Sequence, residues 1–414
     1  MKLFSISNIF TFLFLSYSYN VQAQQIEAIK VKTHISFLAS DDLNGRGTGT
    51  ADEKKAAEYI AKQFAEIKLQ PKGEKGTYLQ GYEFTEPANP HATTDTAGKK
   101  RTLTNVIGFL DNGAKQTIVI GGHYDHLGLG HDGNSLDANP KEKIHNGADD
   151  NASGTAGVIE LARYYSNNNK KELYNFLFIC FSGEELGLFG SKQYCENPVV
   201  PLTDVNMMIN MDMIGRLEPT SRKLMIYGVG TAPEFVNLIA SVKTTMNIMT
   251  DSAGVGPSDQ TSFYLKDIPV LHFFTGQHSD YHKPSDDVDK VNIEGEKEVL
   301  EFIINTISEI EKLPKLKFMK TRSAKSDTPA FKVTLGIMPD YMFSGVGVHI
   351  DGVTEGKPAY KAGLLKGDVV VKLGEHTVTD MNSYMKALSM FKKGDTTKVK
   401  ALRGNDLIEK DLTF

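Results

Sequence analysis

A chain of 414 residues with a net charge of −5 is long enough for a large core and for two or three domains. Neither that charge nor any basic cluster gives an electrostatic case for nucleic acid as a partner. The composition is otherwise that of an ordinary globular protein.

At the N-terminus, Lys2 precedes the apolar run from Ile9 to Leu15, and Val21-Gln22-Ala23 follows with small residues where a processing site needs them. This predicts a secretory signal peptide over residues 1–23. The run is too short to span a bilayer, and no later stretch is long and apolar enough to do so. The expected location is therefore periplasmic or extracellular, with no membrane span after cleavage. No cysteine follows Ala23, so a bacterial lipid anchor is not indicated.

Helical spacing predicts a first helix over 26–38. Gly45, Gly47 and Gly49 interrupt it, and Asp52 can cap a second helix running to about 69. Residues 71–101 are rich in Gly, Pro, Thr and Lys and read as a surface excursion or irregular strands. From about 103 the pattern alternates. Strands are expected over 105–110, 117–121, 174–181, 205–211, 224–228 and 268–274, and helices over 154–165, 186–194, 233–246 and 293–313. Alternation of this kind predicts an α/β domain, a mixed, largely parallel sheet sandwiched by helices, over residues 24–313. Cys180 falls in an apolar strand and should pack as a small apolar residue; a disulfide to Cys195 is not decided by sequence. Residues 314–330 are poor in apolar side chains and read as a linker. Residues 331–414 read as a separate β-rich module.

Polar groups recur just beyond the apolar strands. His123 and Asp125 sit two apart at a strand end, so both side chains fall on one face. Glu184-Glu185 follows the most apolar strand, Asp212 ends another, and His282 lies in a polar loop before the last long helix. Between them is the turn Asn146-Gly147-Ala148-Asp149-Asp150-Asn151-Ala152-Ser153-Gly154. Its spacing approaches a calcium loop, but Ser153 stands where an acid or amide is wanted, and Pro140 and Gly147 deny it a preceding helix. Adjacent carboxylates in a buried corner repel and desolvate badly without a cation. Two histidines and three carboxylates, one of them shared, make a two-metal hydrolytic set. Nitrogen and oxygen donors without thiolate suit zinc, with cobalt or manganese as substitutes. In α/β sheets ligands bind beyond the carboxyl ends of the strands, where these residues lie.

Five segments resemble the M28 family of zinc aminopeptidases, in the family's order: 122–128 (Gly-His-Tyr-Asp-His-Leu-Gly), 147–154, 181–191, 210–216 and 281–287. The resemblance covers about 26–313. It implies a zinc exopeptidase fold and two Zn2+ ions, one held by His123 and Asp212, the other by Glu185 and His282, with Asp150 bridging. Glu184 would be the general base, Asp125 would orient His123, and the Asp150–Asn151 peptide would be cis. Where the family often has Ser-Asp-His, this chain has Ser258-Asp259-Gln260. The implied function is an exported dizinc exopeptidase acting on peptides, an aminopeptidase first. A carboxypeptidase or a single-zinc glutaminyl-cyclase-like acyltransferase on the same fold are the alternatives, as is an envelope peptide-binding adaptor. Residues 331–414 resemble a PDZ domain, best over 356–370, with Leu335, Gly336 and Ile337 as the loop that would receive a peptide C-terminus.

Overall fold

The computed structural model describes residues 25–85, 100–321, 333–340, 343 and 345–414. The leader expected at 1–23 and residues 322–332 lie outside them.

A nine-stranded sheet organises the first unit. Its strands are β1 (Gln70–Pro71), β2 (Leu79–Thr85), β3 (Lys100–Leu110), β4 (Thr117–His123), β5 (Asn175–Phe181), β6 (Val205–Met211), β7 (Lys223–Tyr227), β8 (Asn247–Asp251) and β9 (Val270–Phe274). The order is β1-β3-β5-β4-β6-β9-β7-β8, with β2 on β3. The central β5-β4-β6-β9 block is parallel, while β3 and β7 join it antiparallel. Helices α1 (Ala28–Leu38), α2 (Ala51–Ile67), α3 (Gly154–Asn167), α4 (Phe189–Glu196), α5 (Phe235–Ser241), α6 (Gln260–Tyr264) and α7 (Ile293–Ile310) cover it.

The near-continuous apolar strands follow from burial on both faces. Ile118, Ile120, Phe176 and Phe178 join one core with α1, α2, α3 and α7 residues such as Ile35, Phe64, Leu161 and Ile303. Val119, Leu177 and Ile179 face the other way, onto Tyr194, Cys195, Phe263 and Tyr264. Cys180 and Cys195 are both buried and free, and burial pushes the Cys195 thiol up to about 12.

Several elements differ from the sequence expectation. The excursion at 71–101 includes β2, paired with a β3 that starts at Lys100. Helix α4 begins only at Phe189, because Leu188 takes a left-handed φ of 61°. The helix expected over 233–246 shortens to α5, its tail is irregular, and β8 follows as an edge strand whose side chains are exposed or half-buried. Residues 314–321, expected to be linker, begin against the first unit. Leu316 is buried in the main core, Phe318 packs on Tyr264, and the Met319 N–H donates to the Thr231 carbonyl at 2.7 Å.

A second sheet of six strands has order β10-β11-β12-β14-β15, with β13 on β12. They span β10 (Ile337–Pro339), β11 (Val348–Val353), β12 (Val369–Leu373), β13 (His376–Thr377), β14 (Thr396–Arg403) and β15 (Asp406–Thr413), with helices α8 (Pro358–Lys361) and α9 (Met381–Leu388). It has its own apolar core around Leu335, Ile350, Val370, Leu373 and Val399. Leu335 is buried there, Gly336 has φ +74°, and its N–H already donates to Thr334 Oγ1 at 3.0 Å. Among the described residues no helix is long and apolar enough to cross a membrane.

Candidate metal centre

His123 closes β4, Glu184 and Glu185 follow β5, and Asp212 follows β6, so parallel neighbours deliver them to one rim. Asp150 comes from the distorted turn Ala148–Ser153 before α3, and His282 from the loop after β9. The Asp150–Asn151 peptide is cis.

The turn is stitched to β6 by its own side chains. Asn151 Nδ2 donates to the Met211 carbonyl at 3.0 Å, and its Oδ1 accepts the Gly154 and Met213 N–H groups. A Cβ at Gly154 would stand 2.3 Å from the Met211 oxygen, so only glycine lets α3 approach this closely. Asp149 turns away from Asp150. Its Oδ1 accepts the Gly215 N–H at 2.7 Å and its Oδ2 lies 3.1 Å from His278 Nε2. Asp286 Oδ2 accepts both the Asp149 and Asp150 N–H groups at 3.0 Å.

Two groups of donors converge on Asp150. His123 Nε2 is 3.4 Å from Asp150 Oδ1 and 3.4 Å from Asp212 Oδ1. His282 Nε2 is 3.2 Å from Asp150 Oδ2 and 3.1 Å from Glu185 Oε2. Each imidazole is oriented through its other nitrogen, His123 Nδ1 by the Asp125 carbonyl at 3.2 Å and His282 Nδ1 by the Asn134 carbonyl at 2.8 Å. The Asp125 carboxylate stands farther from His123 Nδ1, at 3.6 Å. It accepts instead from the Glu184 N–H at 3.2 Å and from Thr48 Oγ1 at 2.7 Å. Asp125 thus ties the end of β4 to the residue after β5.

These distances fit a divalent ion. Two donors each about 2.0–2.1 Å from a tetrahedral zinc lie roughly 3.3–3.4 Å apart. His123 Nε2 is buried and has no hydrogen-bond partner, which leaves its lone pair free for such an ion. The electrostatics agree. Burial pulls the His123 and His282 imidazoles down, but the surrounding carboxylates, Glu184 for one and Glu185 for the other, drive both well above the usual range. Burial raises the Glu184 carboxyl well above its ordinary value, only partly offset by His123, with Asp212 and Glu185 adding to the rise. Its neighbour Glu185 goes the other way: burial opposes ionisation, but His282 and His126 bring it down to about 2. The two adjacent glutamates are thereby pushed in opposite directions, Glu184 towards the protonated form and Glu185 towards the ionised one.

Three further participants are given no role by the sequence. His126 is buried, with Nδ1 2.7 Å from Glu185 Oε1 and 3.9 Å from Asp150 Oδ2; with Asp150 and Glu185 it forms a second potential metal-holding group. The shorter contact is a hydrogen bond, and it leaves Glu185 Oε2 for the side shared with His282. Arg46, 1% exposed, donates to the carbonyls of Leu38, Tyr124, Asn146 and Gly147, pinning the approach to Asp150. Burial lowers its guanidinium to about 10, against the pull of Asp125, Asp150, Asp286 and Glu185. Asp286 is the third. His126 and Asp286 fall within segments 122–128 and 281–287, which the sequence marks without giving either residue a role; Arg46 falls in none of the five segments.

The site opens into a cleft lined by Asp150, Glu184, Asp212 and His282 at one corner. Met213, Tyr227, Phe274 and Tyr281 form an apolar wall, with Pro257, His272 and Gln277.

Comparison with known proteins gives matches for both units. Residues 105–307 match peptidase family M28, and residues 319–413 match the PDZ domain. Among curated proteins the chain is similar to leupeptin-inactivating enzyme 1 of Streptomyces exfoliatus, 28% identical over 265 residues, 62% of this chain and 51% of that protein. The chain thus spans about half the length of this curated relative, and less of others. Among solved structures it resembles the aminopeptidase from Aneurinibacillus sp. strain AM-1, with TM-score 0.55, 19% identity, and coverage of 72% of this chain and 95% of that one. It resembles the Bacteroides thetaiotaomicron glutaminyl cyclase equally, with TM-score 0.55, 18% identity, and coverage of 69% and 98%. At such identities the structural likeness speaks to the fold.

Proposed function

Since the chain carries a peptidase family M28 domain at residues 105–307 and a PDZ domain at 319–413, we propose that it is a dizinc exopeptidase that removes N-terminal residues from peptides. His123, Asp212 and Asp150 would hold one ion, and Glu185, His282 and Asp150 the other. When bound, the ions supply Lewis acidity and stabilise the negative charge that develops on the scissile carbonyl.

The chain's own groups do the rest. Glu184 borders the cleft and is the carboxylate whose affinity for a proton is raised. It takes the proton of the attacking water and returns it to the leaving amine. Glu185 and Asp150 stay ionised as anchors. Asp125 fixes the Glu184 backbone against the His123 strand.

One observation carries the choice of peptide end. The described residues lining the cleft include Glu184, which the ions do not use, and no Lys or Arg, so a terminal ammonium has an anionic partner there and a terminal carboxylate no basic side chain of that kind. Hydrolysis over cyclisation is supported by the first donor group, His123 with Asp212, which a single-zinc acyltransferase does not need. The test is a peptide-library digest read by mass spectrometry, with and without chelator. Stepwise N-terminal trimming that chelator abolishes is expected; loss of C-terminal residues would overturn the reading.

The leader pattern over residues 1–23 supports export to the periplasm or exterior. The separate core of the second sheet supports a division into a peptidase unit (24–313), a connecting segment (314–330) and a PDZ unit (331–414) that takes peptide C-termini near Leu335, Gly336 and Ile337.

A further inference from the structure

We propose that the segment 316–321 positions one wall of the cleft, with Thr321 as the positioning residue. It holds the loop that carries Pro257 against the turn that follows Tyr227, and so sets how tightly substrate binds without touching the chemistry. The inference goes beyond the aminopeptidase reading and uses it only for the choice of substrate.

The segment leaves α7 and is fastened at almost every step. The Leu316 N–H donates to Asn206 Oδ1 at 2.9 Å, and the Leu316 side chain is buried. Phe318 lies against the Tyr264 ring, 5.4 Å between centroids. The Met319 N–H donates to the Thr231 carbonyl at 2.7 Å. Thr321 then turns its polar groups inward. Its N–H and its hydroxyl both donate to Tyr264 Oη at 3.1 Å, and its Oγ1 accepts the Gly254 N–H at 3.2 Å. Tyr264 is buried, and a buried phenol needs such partners.

Two parts of the cleft lining meet on this segment. Strand β7 ends in Tyr227, which lines the cleft, and the turn after it is tied to β9: Thr231 Oγ1 accepts the Val270 N–H at 2.9 Å and donates to the Gly228 carbonyl at 2.7 Å. The loop 252–259 between β8 and α6 carries Pro257, which also lines the cleft. Turn, loop and segment touch at Gly230, where a Cβ would stand 2.7 Å from Ser252 Cβ and 3.1 Å from Thr321 Cγ2. A Cβ at Gly254 would stand 2.1 Å from the Tyr264 ring, so the loop is seated on the same phenol that Thr321 holds. Residues 252–257 read Ser-Ala-Gly-Val-Gly-Pro, a sequence with much conformational freedom to lose. Released from Thr321, the loop would have to be ordered by the substrate itself, which weakens binding. Thr321 and Tyr264 are neither metal-holding nor cleft-lining residues, so the chemical step is insulated from the loss.

The experiment measures leucyl p-nitroanilide hydrolysis by the zinc-loaded full chain. Thr321→Val keeps shape and backbone but lacks the hydroxyl. Its KM should rise about 3–10-fold, the worth of one neutral hydrogen bond, with kcat and zinc content unchanged. Thr321→Ser restores the hydroxyl and should return KM to the wild-type value. Tyr264→Phe, which keeps the ring against Phe318, should raise KM in the same way. Hydrogen exchange on the same proteins gives a readout independent of catalysis: peptides covering 252–259 should exchange about 3–10-fold faster in Thr321→Val, and those covering β4 and β6 should not change. An unchanged KM, a fall in kcat alone, a KM that serine does not restore, or unchanged exchange at 252–259 overturns the proposal and leaves the aminopeptidase reading intact. Where the wild type cleaves no anilide, that reading fails, and the exchange alone decides this inference.

Discussion

Replacing Asp286 should unfasten the metal centre from behind. One oxygen of this fully buried carboxylate accepts the N–H groups of Asp149 and Asp150, each at 3.0 Å, and the Asp286 carbonyl accepts from Ala148. The backbone of the turn that carries the bridging aspartate hangs on this residue. A hydrogen bond to a charged group contributes about 1.5–3 kcal/mol, and a buried donor left unpaired costs about 1–3 kcal/mol. Asp286→Ala loses both bonds, for about 3–5 kcal/mol in all. Asp286→Asn keeps an acceptor oxygen without charge and should cost about half as much. Burial, then Asp149, raises the Asp286 carboxyl to about 6, so the comparison belongs at pH 8, where it is ionised. Scanning calorimetry of the metal-free protein should place the Asp286→Ala transition roughly 6–10 °C below wild type, at about 2 °C per kcal/mol for a domain of this size. Zinc titration should show weaker binding of both equivalents, because Asp150 belongs to both groups. A variant that melts within 2 °C of wild type, to order of magnitude, and binds zinc unchanged would refute the reasoning.

Removing the imidazole of His126 frees Glu185 Oε1 from its 2.7 Å partner. His126→Ala should weaken one zinc equivalent by about 10–100-fold and spare the other, as read by competition with a metal dye; His126→Asn, which retains a donor, should recover part of the loss, and uniform weakening of both would contradict the assignment. Glu296 on α7 is fully buried with both oxygens unpartnered, and burial, then Asp149, holds its carboxyl well above the ordinary value of 4.5. The folded state therefore binds this proton more tightly than the unfolded one, and stability falls as pH rises from about 4.5 through the folded value. Glu296→Gln should raise the melting point at pH 8 and change little near pH 4, whereas an equal gain at both would show that charge is not the cause.

The strand ends were legible because burial on both faces writes apolar runs such as 175–181 into the sequence, and a charged pair straight after such a run is conspicuous. The identity of Asp149 as an anchor was not written there. It depends on Gly215 and His278, which are 66 and 129 positions away. Arg46 sits in a glycine-broken stretch without periodicity, and its work is done on carbonyls 8, 78, 100 and 101 residues distant. Strand β2 was left open between excursion and irregular strand because its partner, not its composition, makes it a strand, and β8 was missed because an exposed edge has no apolar alternation. Conversely, Asp125 was legible as a neighbour of His123, but its carboxylate serves the Glu184 N–H, a contact created only when β4 and β5 pair.

In the proposed mechanism Glu184 moves the proton while the other carboxylates hold the ions. The most direct measurement is aminoacyl-anilide hydrolysis by Glu184→Gln with zinc content determined on the same sample. Two zinc ions per chain are expected, as in the wild type, with kcat reduced by at least about 10²-fold. Full activity with both ions bound would contradict it.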